Sequence, residues 1–348
     1  MKSTQIVITG KKQVELLPLD LDASPLQPHE ALIETECSFI SAGTELSIYT
    51  AADSGVFREG SWCAYPWTAG YANVGVVREA GERFRHLIGK RVFSNGGHAS
   101  FLRYASDSRY KMLAPVPAGL TSEDAVAARM AMVAIAGLEA AAPRHVRWVV
   151  VIGLGMVGNL AAQLFHLTGA RVIGIDPSPR RRALAQECGI ARVAGGSEEE
   201  VAEEIRRITG GRMADVAVDA VGHSSVSLQA LRLVSDGGEV IVLGTPRADV
   251  QGNLTEVFAA AHLRWITVKG TLEWNLPVEP ALPQYNSLSR RLEGIFGWIG
   301  DGRLRLRPLL THVLPPERIG DAYEGLLHHK EEYVGVILRW RETAPDAQ

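Results

Sequence analysis

The segment with the plainest chemistry is Gly153-Leu-Gly155-Met156-Val157-Gly158. It follows the apolar run Trp148-Val-Val-Val-Ile152 and opens a helix-like stretch, the context that gives a GxGxxG pattern meaning. The first glycine permits a tight turn, the second lets backbone approach a pyrophosphate, and the third lets helix and strand pack closely. The amides at the start of the helix then face the phosphates. Asp176 lies 23 residues after Gly153, at the end of the next apolar run. A carboxylate there accepts from ribose hydroxyls and repels a 2′-phosphate, so NAD(H) is expected over NADP(H). The run Arg180-Arg181-Arg182 points both ways: a guanidinium such as Arg181 stacks on adenine or binds phosphate, or the run is a solvated helix face. Val221-Gly222, Gly244-Thr245 and Thr271 follow later strand-like runs and are expected to complete the site.

The elements that must position these residues alternate. Trp148–Ile152, Arg171–Ile175, Asp215–Asp219, Glu239–Leu243 and Trp265–Lys269 read as strands of a parallel sheet, with helices between them. Gly169 is placed to end the first helix, and Ser178-Pro179 to start the second. Thr121 and Asp124 form a capping pair ahead of the small and apolar segment Ala125–Ala142, which predicts a buried helix. A doubly wound α/β domain is predicted over 121–285. Residues 1–120 read instead as short strands split by turn residues, among them Glu30–Glu36, Ala72–Val77 and Phe101–Tyr104. After 285 come a helix near 286–301, a β region near 304–314, a helix near 316–330 and a last strand Val334–Leu338. The tail beyond Trp340 reads as frayed.

Composition limits the function classes. The chain has 348 residues, 46% apolar and 22% charged, with a net charge of −3. That suits two domains and gives no basic surplus for nucleic acid or an anionic membrane. No apolar run reaches a bilayer-spanning length, and the N-terminus lacks a secretory h-region, so cytosol is the expected compartment. Cys37, Cys63 and Cys188 are far apart and form no CxxC pair, which argues against a disulfide framework or a thiolate zinc cluster. His98, His262 and His312 are isolated and read as surface or satisfied core histidines.

A β-rich region, a Rossmann unit and a return to the first region resemble the medium-chain dehydrogenase/reductase superfamily along essentially the whole chain. Ala42-Gly-Thr-Glu-Leu-Ser-Ile-Tyr49 is similar to the family segment CGTDxHxY. Pro66–Val77 is similar to the segment built around GHE, and Gly89-Lys-Arg-Val-Phe93 to its GDRV strand. The resemblance implies a GroES-like catalytic domain (1–120 and 286–348) beside the Rossmann domain (121–285), a small-molecule substrate and a homodimer, often formed through the sixth strand. Zinc-dependent members carry a cysteine at Ala42, a histidine at Tyr71, a glutamate at Ala72 and a third ligand near Arg129. Alanine has no donor atom and arginine does not deprotonate to bind a metal, so no zinc is expected. Ser41-Ala-Gly-Thr-Glu45 with Gly70-Tyr-Ala-Asn-Val-Gly75 is similar to a zinc-lacking branch that includes bacteriochlorophyllide dehydrogenase-type proteins.

Without a metal, protein donors must handle charge on the substrate oxygen. Thr44 stands where the family places a relay hydroxyl, Ser47 where a relay histidine often stands, and Tyr71 at a vacated ligand position. Tyr71 and Thr44 are therefore the expected hydrogen-bond or proton donors, with Arg129 as electrostatic support. The alternatives are that Tyr71 only fills volume and that Arg129 only makes an ion pair. Glu45 has no basic partner where the family keeps one, since that position is Gly335. It either finds another partner or is exposed. Phe57, Trp62, Tyr65, Trp67 and Trp274 are expected to wall a pocket for a bulky or planar substrate, or to lie in the core. Three functions stay open at this point: a zinc-free NAD(H) alcohol/carbonyl oxidoreductase, a quinone or enoyl C=C reductase, and a non-catalytic dinucleotide-binding regulator.

Overall fold

The computed structural model describes residues 2–106, 110–142, 148–247, 249–280 and 286–341. Two compact units divide the chain: Met1–Arg129 with Leu276–Gly300 and Leu310–Gln348, and Met130–Asn275 with Asp301–Leu309. The expected domain limit at 285 and the frayed tail from 342 lie outside the described residues.

The first unit opens with strands β1 (Lys2–Gly10), β2 (Gln13–Asp20) and β3 (Glu30–Phe39), then helix α1 (Ala42–Tyr49). It continues through β4 (Trp67–Thr68), β5 (Asn73–Ala80), β6 (Arg91–Ser94), β7 (Phe101–Ala105) and β8 (Leu113–Pro115). Antiparallel pairing of β3 with β5 and β7, and of β5 with β6, builds the main sheet. A smaller sheet runs β2-β1-β4. Strict alternation in β3 (Ala31, Ile33 and Thr35 inward) buries one face, as a half-buried antiparallel strand requires. One core gathers Ile33, Val77, Phe84, Val92 and Tyr104. A second gathers Ile6, Ile8, Ile48 and Tyr49 with residues from the end of the chain.

Helix α2 (Ser122–Ala140) begins as its sequence predicts. Thr121 Oγ1 accepts the Asp124 amide at 3.2 Å and donates to its carboxylate at 2.8 Å. The division between the units falls inside this helix, after Arg129.

The second unit is a six-stranded, all-parallel sheet in the order β11-β10-β9-β12-β13-β14. Its elements are β9 (Trp148–Ile152), α3 (Met156–Leu167), β10 (Arg171–Ile175), α4 (Pro179–Glu187), β11 (Arg192–Ala194), α5 (Glu198–Ile208), β12 (Ala214–Asp219), α6 (Ser224–Leu233), β13 (Val234–Val242), α7 (Leu254–Leu263) and β14 (Thr267–Gly270). This is the doubly wound order in which the sheet reverses direction beside the first strand. Strand β9 is buried along its whole length because parallel sheets are covered on both faces. Val150, Ile173, Val201, Ile205, Leu233 and Val240 share its core, each contributing about 1.5–3 kcal/mol on burial. Gly169, at φ 86°, ends α3, and the Ser178 hydroxyl caps α4 ahead of Pro179. The sixth strand departs from expectation. Trp265 adopts φ 54°, a left-handed conformation no strand accommodates, so β14 starts two residues later.

The chain then returns to the first unit with α8 (Leu288–Gly300), β15 (Leu310–Leu314), α9 (Ile319–His328) and β16 (Gly335–Arg339). Strand β16 pairs antiparallel with β3, and β15 pairs parallel with β16. Ile319, Tyr323 and Leu326 of α9 enter the core that holds Ile48 and Tyr49.

Candidate functional site

The glycine loop sits at the carboxyl end of β9. Gly153 has φ 91°, and a Cβ there would meet the Val221 side chain at 2.7 Å. A Cβ on Gly158 would lie 1.8 Å from the Gly153 carbonyl, so this position is closed by packing. Gly155 is different: only Arg181 Nη1, at 4.0 Å, comes within reach. Gly155 is also the N-cap of α3 and supplies no side-chain cap, which leaves the amides of Met156, Val157 and Gly158 for an anion. The second glycine thus leaves open space beside the first amides of α3, and the residues present fit a dinucleotide.

Asp176 closes one side. It is 2% exposed; one carboxylate oxygen accepts the Leu154 amide at 2.8 Å and the other accepts Ser178 at 2.9 Å. These bonds tie the glycine loop to the end of β10. Each oxygen keeps a second lone pair for a sugar hydroxyl. Arg181 lies 3.6 Å from Asp176 and over Gly155, while Arg182 donates to the carbonyls of Asp176 and Pro177. Of the three arginines, Arg181 is the one that lies beside both Asp176 and Gly155, and Arg180 is exposed.

The ends of β12 and β13 meet backbone to backbone. A Cβ on Gly244 would lie 2.3 Å from the Gly222 amide, and one on Gly222 would lie 2.7 Å from the Thr245 carbonyl. Asp219, fully buried, shapes this turn: one oxygen accepts Val221 and Gly222 amides, and the other accepts Ser227. In the sequence, Asp219 carries no role beyond the end of a strand. Val221 is exposed beside Gly153, and Thr245 is exposed on the same rim. The Thr271 hydroxyl donates to the Val242 carbonyl at 3.2 Å.

A second cluster lies in the first unit. Arg129 is 1% exposed, and its guanidinium carbon stands 4.7 Å from the Tyr71 ring centre. The Tyr71 hydroxyl is hydrogen-bonded to Ser41 Oγ. Sequence reasoning brought Tyr71 and Arg129 forward but passed over Ser41. Thr44 is half-buried in the first turn of α1. Ser47 donates to the Thr44 carbonyl at 2.7 Å, so its hydrogen is committed within the helix.

Glu45 is fully buried and does find other partners. It accepts the Ser41 amide at 2.7 Å and the Tyr323 hydroxyl at 2.7 Å, and pairs with His98 Nε2 at 3.0 Å. Burial first, and the Glu45 charge second, push the Tyr323 phenol well above its ordinary value. His98 is a satisfied core histidine, its Nδ1 lying 2.8 Å from Ser38 Oγ. Trp340 Nε1–H donates to the same oxygen at 2.8 Å. The aromatic residues expected to form one wall make two edge-on pairs, Phe57 with Tyr65 and Trp62 with Trp67. Phe57 and Trp62 are exposed, so neither is a core residue.

The residues that the resemblance sets at the zinc-ligand positions are Ala42, Tyr71 and Ala72, with Arg129 near the third. Two methyl groups, a phenol and a cation already stacked on it do not fit a divalent metal. Among the described residues, no group of three or more His, Cys, Asp or Glu is arranged to hold one. No described helix is long and apolar enough to cross a membrane.

Residues 156–285 match the family model described as zinc-binding dehydrogenase, which is the stretch containing the glycine-loop helix and most of the parallel sheet. The chain is 35% identical over 180 residues to L-threonine 3-dehydrogenase of Caldanaerobacter subterraneus subsp. tengcongensis, covering 48% of this chain and 44% of that one. It is 26% identical over 293 residues to an alcohol dehydrogenase of Cupriavidus necator, covering 84% and 74%. The chain spans about half the length of several curated relatives it matches. In fold it is similar to galactitol-1-phosphate dehydrogenase from Escherichia coli, with a TM-score of 0.79, 18% identity and coverage of 97% and 99%. These relatives are dehydrogenases, the family model covers the unit that holds the glycine loop, and the fold is shared with a solved dehydrogenase structure.

Proposed function

We propose that the protein is a zinc-independent, NAD(H)-dependent oxidoreductase acting on an alcohol/carbonyl pair. The observation that carries this reading is the Arg129–Tyr71 stack, a buried cation over a phenol, at or near positions where the resemblance expects metal ligands in zinc-dependent members. When bound, the dinucleotide supplies or accepts the hydride. In the reducing direction, Tyr71 gives its proton to the substrate oxygen, and the Arg129 charge opposes the negative charge left on the ring. Thr44 is a second hydroxyl for the same oxygen. Asp176 supports NAD(H) over NADP(H), its remaining lone pairs serving a ribose diol and its charge repelling a phosphate. The exposed Phe57 and Trp62 support a bulky or planar substrate.

The same donor set favours one second reading. Hydride addition to a conjugated alkene dispenses with a Lewis acid, so a quinone or enoyl reductase also suits a site built without metal ligands. A homodimer belongs to the proposal as well. Strand β14 ends the six-stranded sheet; Val268 (49% exposed) lies on it, and Trp265 (80%) and Leu272 (59%) flank it. A second copy pairing along this edge would cover apolar side chains and backbone donors that water otherwise meets.

The test is turnover by chelator-treated protein with NADH or NADPH against aldehydes, ketones, enones and quinones. Reduction of carbonyls with NADH supports the first reading. Reduction confined to enones or quinones moves the assignment to the second. Nucleotide binding without turnover anywhere on the panel replaces both with a regulatory role.

A further inference from the structure

We propose that Ser41, rather than Thr44, is the hydroxyl that positions the Tyr71 phenol, and that the buried Glu45 carboxylate positions Ser41. The inference rests on the reading of Tyr71 as proton donor. Ser41 is the N-cap residue of α1, where a serine hydroxyl ordinarily accepts an amide of the first helical turn. Here it accepts none. The hydroxyl is turned to Tyr71 instead. Glu45 supplies the compensation from inside the helix: its carboxylate takes the Ser41 backbone amide at 2.7 Å, fixing the residue from behind.

Glu45 is itself fixed from three elements. Ser41 holds it from the start of α1, Tyr323 from α9, and His98 from the loop before β7. Trp340 Nε1–H is only a donor, so Ser38 Oγ accepts from it and has its own hydrogen to give His98 Nδ1 in the tautomer that carries Nε2–H. Nε2–H is then the hydrogen offered to Glu45. Gly70, at φ 90°, lets the chain before Tyr71 lie on the His98 ring, where a Cβ would stand only 2.7 Å away. One buried cluster thus sets both sides of the Ser41–Tyr71 bond.

The direction of that bond follows from the chemistry. For Tyr71 to pass its hydrogen to a substrate oxygen, its own oxygen must accept from Ser41. The Tyr71 O–H bond breaks, the substrate oxygen gains the proton, and the phenolate keeps the Ser41 hydrogen bond. Arg129 from α2 is a charged group over the ring; Glu45 stands behind Ser41, and His98 and Tyr323 stand behind Glu45. The half-buried phenolate then regains a proton from water.

The experiment follows Tyr71 ionisation by NMR in the full chain labelled at tyrosine Cζ, with the resonance assigned from Tyr71→Phe. Ser41→Ala is expected to raise the Tyr71 midpoint by about one pH unit or more, the loss of one donor to a charged oxygen. Ser41→Cys, a weaker donor, is expected to fall between, and Thr44→Val to leave the midpoint in place. Should Ser41→Ala fail to fold, Ser41→Cys decides. Coincident midpoints for wild type and the Ser41 variants, or an equal shift from Thr44→Val, overturn the proposal. The two readings fail separately. A raised midpoint in Ser41→Ala with full turnover by Tyr71→Phe keeps Ser41 as the positioning residue and removes Tyr71 as donor. Loss of turnover in Tyr71→Phe with an unmoved Ser41→Ala midpoint does the reverse.

Discussion

Arg129 places its guanidinium carbon 4.7 Å from the centre of the Tyr71 ring, with both residues contributed by the first unit. A buried cation over an aromatic face is held in a fixed place, which is what electrostatic support of a reaction requires. Tyr71→Phe keeps the ring and the stack but removes the proton, and turnover with the identified substrate is expected to fall by about 10²–10⁴. Arg129→Met keeps much of the volume without the charge and is expected to lower kcat as well. The double variant should lose less than the two single losses combined, because the residues act as one unit. Full turnover by Tyr71→Phe would leave the phenol as filler.

Gly155 and Gly158 separate ligand contact from packing. Gly155→Ala meets only the end of Arg181, so the melting temperature is expected to hold while NADH affinity falls by tenfold or more, on the order of one lost close contact with phosphate. Gly158→Ala drives a methyl group into the Gly153 carbonyl and is expected to destabilise the fold itself. Thermal melts and NADH titrations on the two variants check this. Unchanged NADH affinity in Gly155→Ala would remove the diphosphate from this loop.

Asp176→Ser removes the charge that faces a 2′-phosphate while leaving Arg181 in place, now relieved of its carboxylate neighbour. NADH affinity is expected to fall and NADPH affinity to rise, so their ratio moves by more than either value alone. Parallel calorimetric titrations with both nucleotides measure it. A ratio unchanged by the substitution would mean that Asp176 serves only the Leu154 and Ser178 amides.

Stability is expected to decline on the alkaline side. Burial first, and then its hydrogen bond to Glu324, push the Tyr49 phenol from 10.0 up to about 12. Tyr323 is displaced in the same direction. The unfolded chain therefore releases these protons before the folded one does. The stabilising contribution is whole below pH 10.0 and is lost as pH climbs toward about 12. Denaturant unfolding across that window should show a falling free energy, and Tyr49→Phe should flatten the fall. A profile identical in wild type and Tyr49→Phe would contradict it.

Val268→Glu puts a charge on the outer strand of the parallel sheet, where wild-type valine is 49% exposed. If two copies join along that edge, sedimentation should show a dimer in wild type and a monomer in the variant. A wild-type monomer would remove the dimer from the account.

The cofactor unit was legible in the sequence because its signals are local. Strands Trp148–Ile152 and Arg171–Ile175 fall where apolar runs and flanking glycines put them. The capping pair Thr121–Asp124 and the Ser178-Pro179 helix start were equally local. Trp265 was not legible: a β-favouring residue beside an apolar run gives no sign of a left-handed backbone. The Glu45 cluster escaped for another reason. Its partners His98 and Tyr323 lie 53 and 278 residues away, and only the folded sheets bring them together. The last strand has Gly335 where the resemblance expects a basic partner, while the hydroxyl and imidazole donors come from other elements. Ser41 was hidden because residues 1–120 read as short strands, and nothing there marked the start of a helix at Ala42.

Native mass spectrometry of the protein with NADH reads nucleotide and metal content together. The account predicts one nucleotide per chain and no zinc in the complex. A stoichiometric zinc adduct, or the absence of any bound nucleotide at saturating NADH, would contradict it.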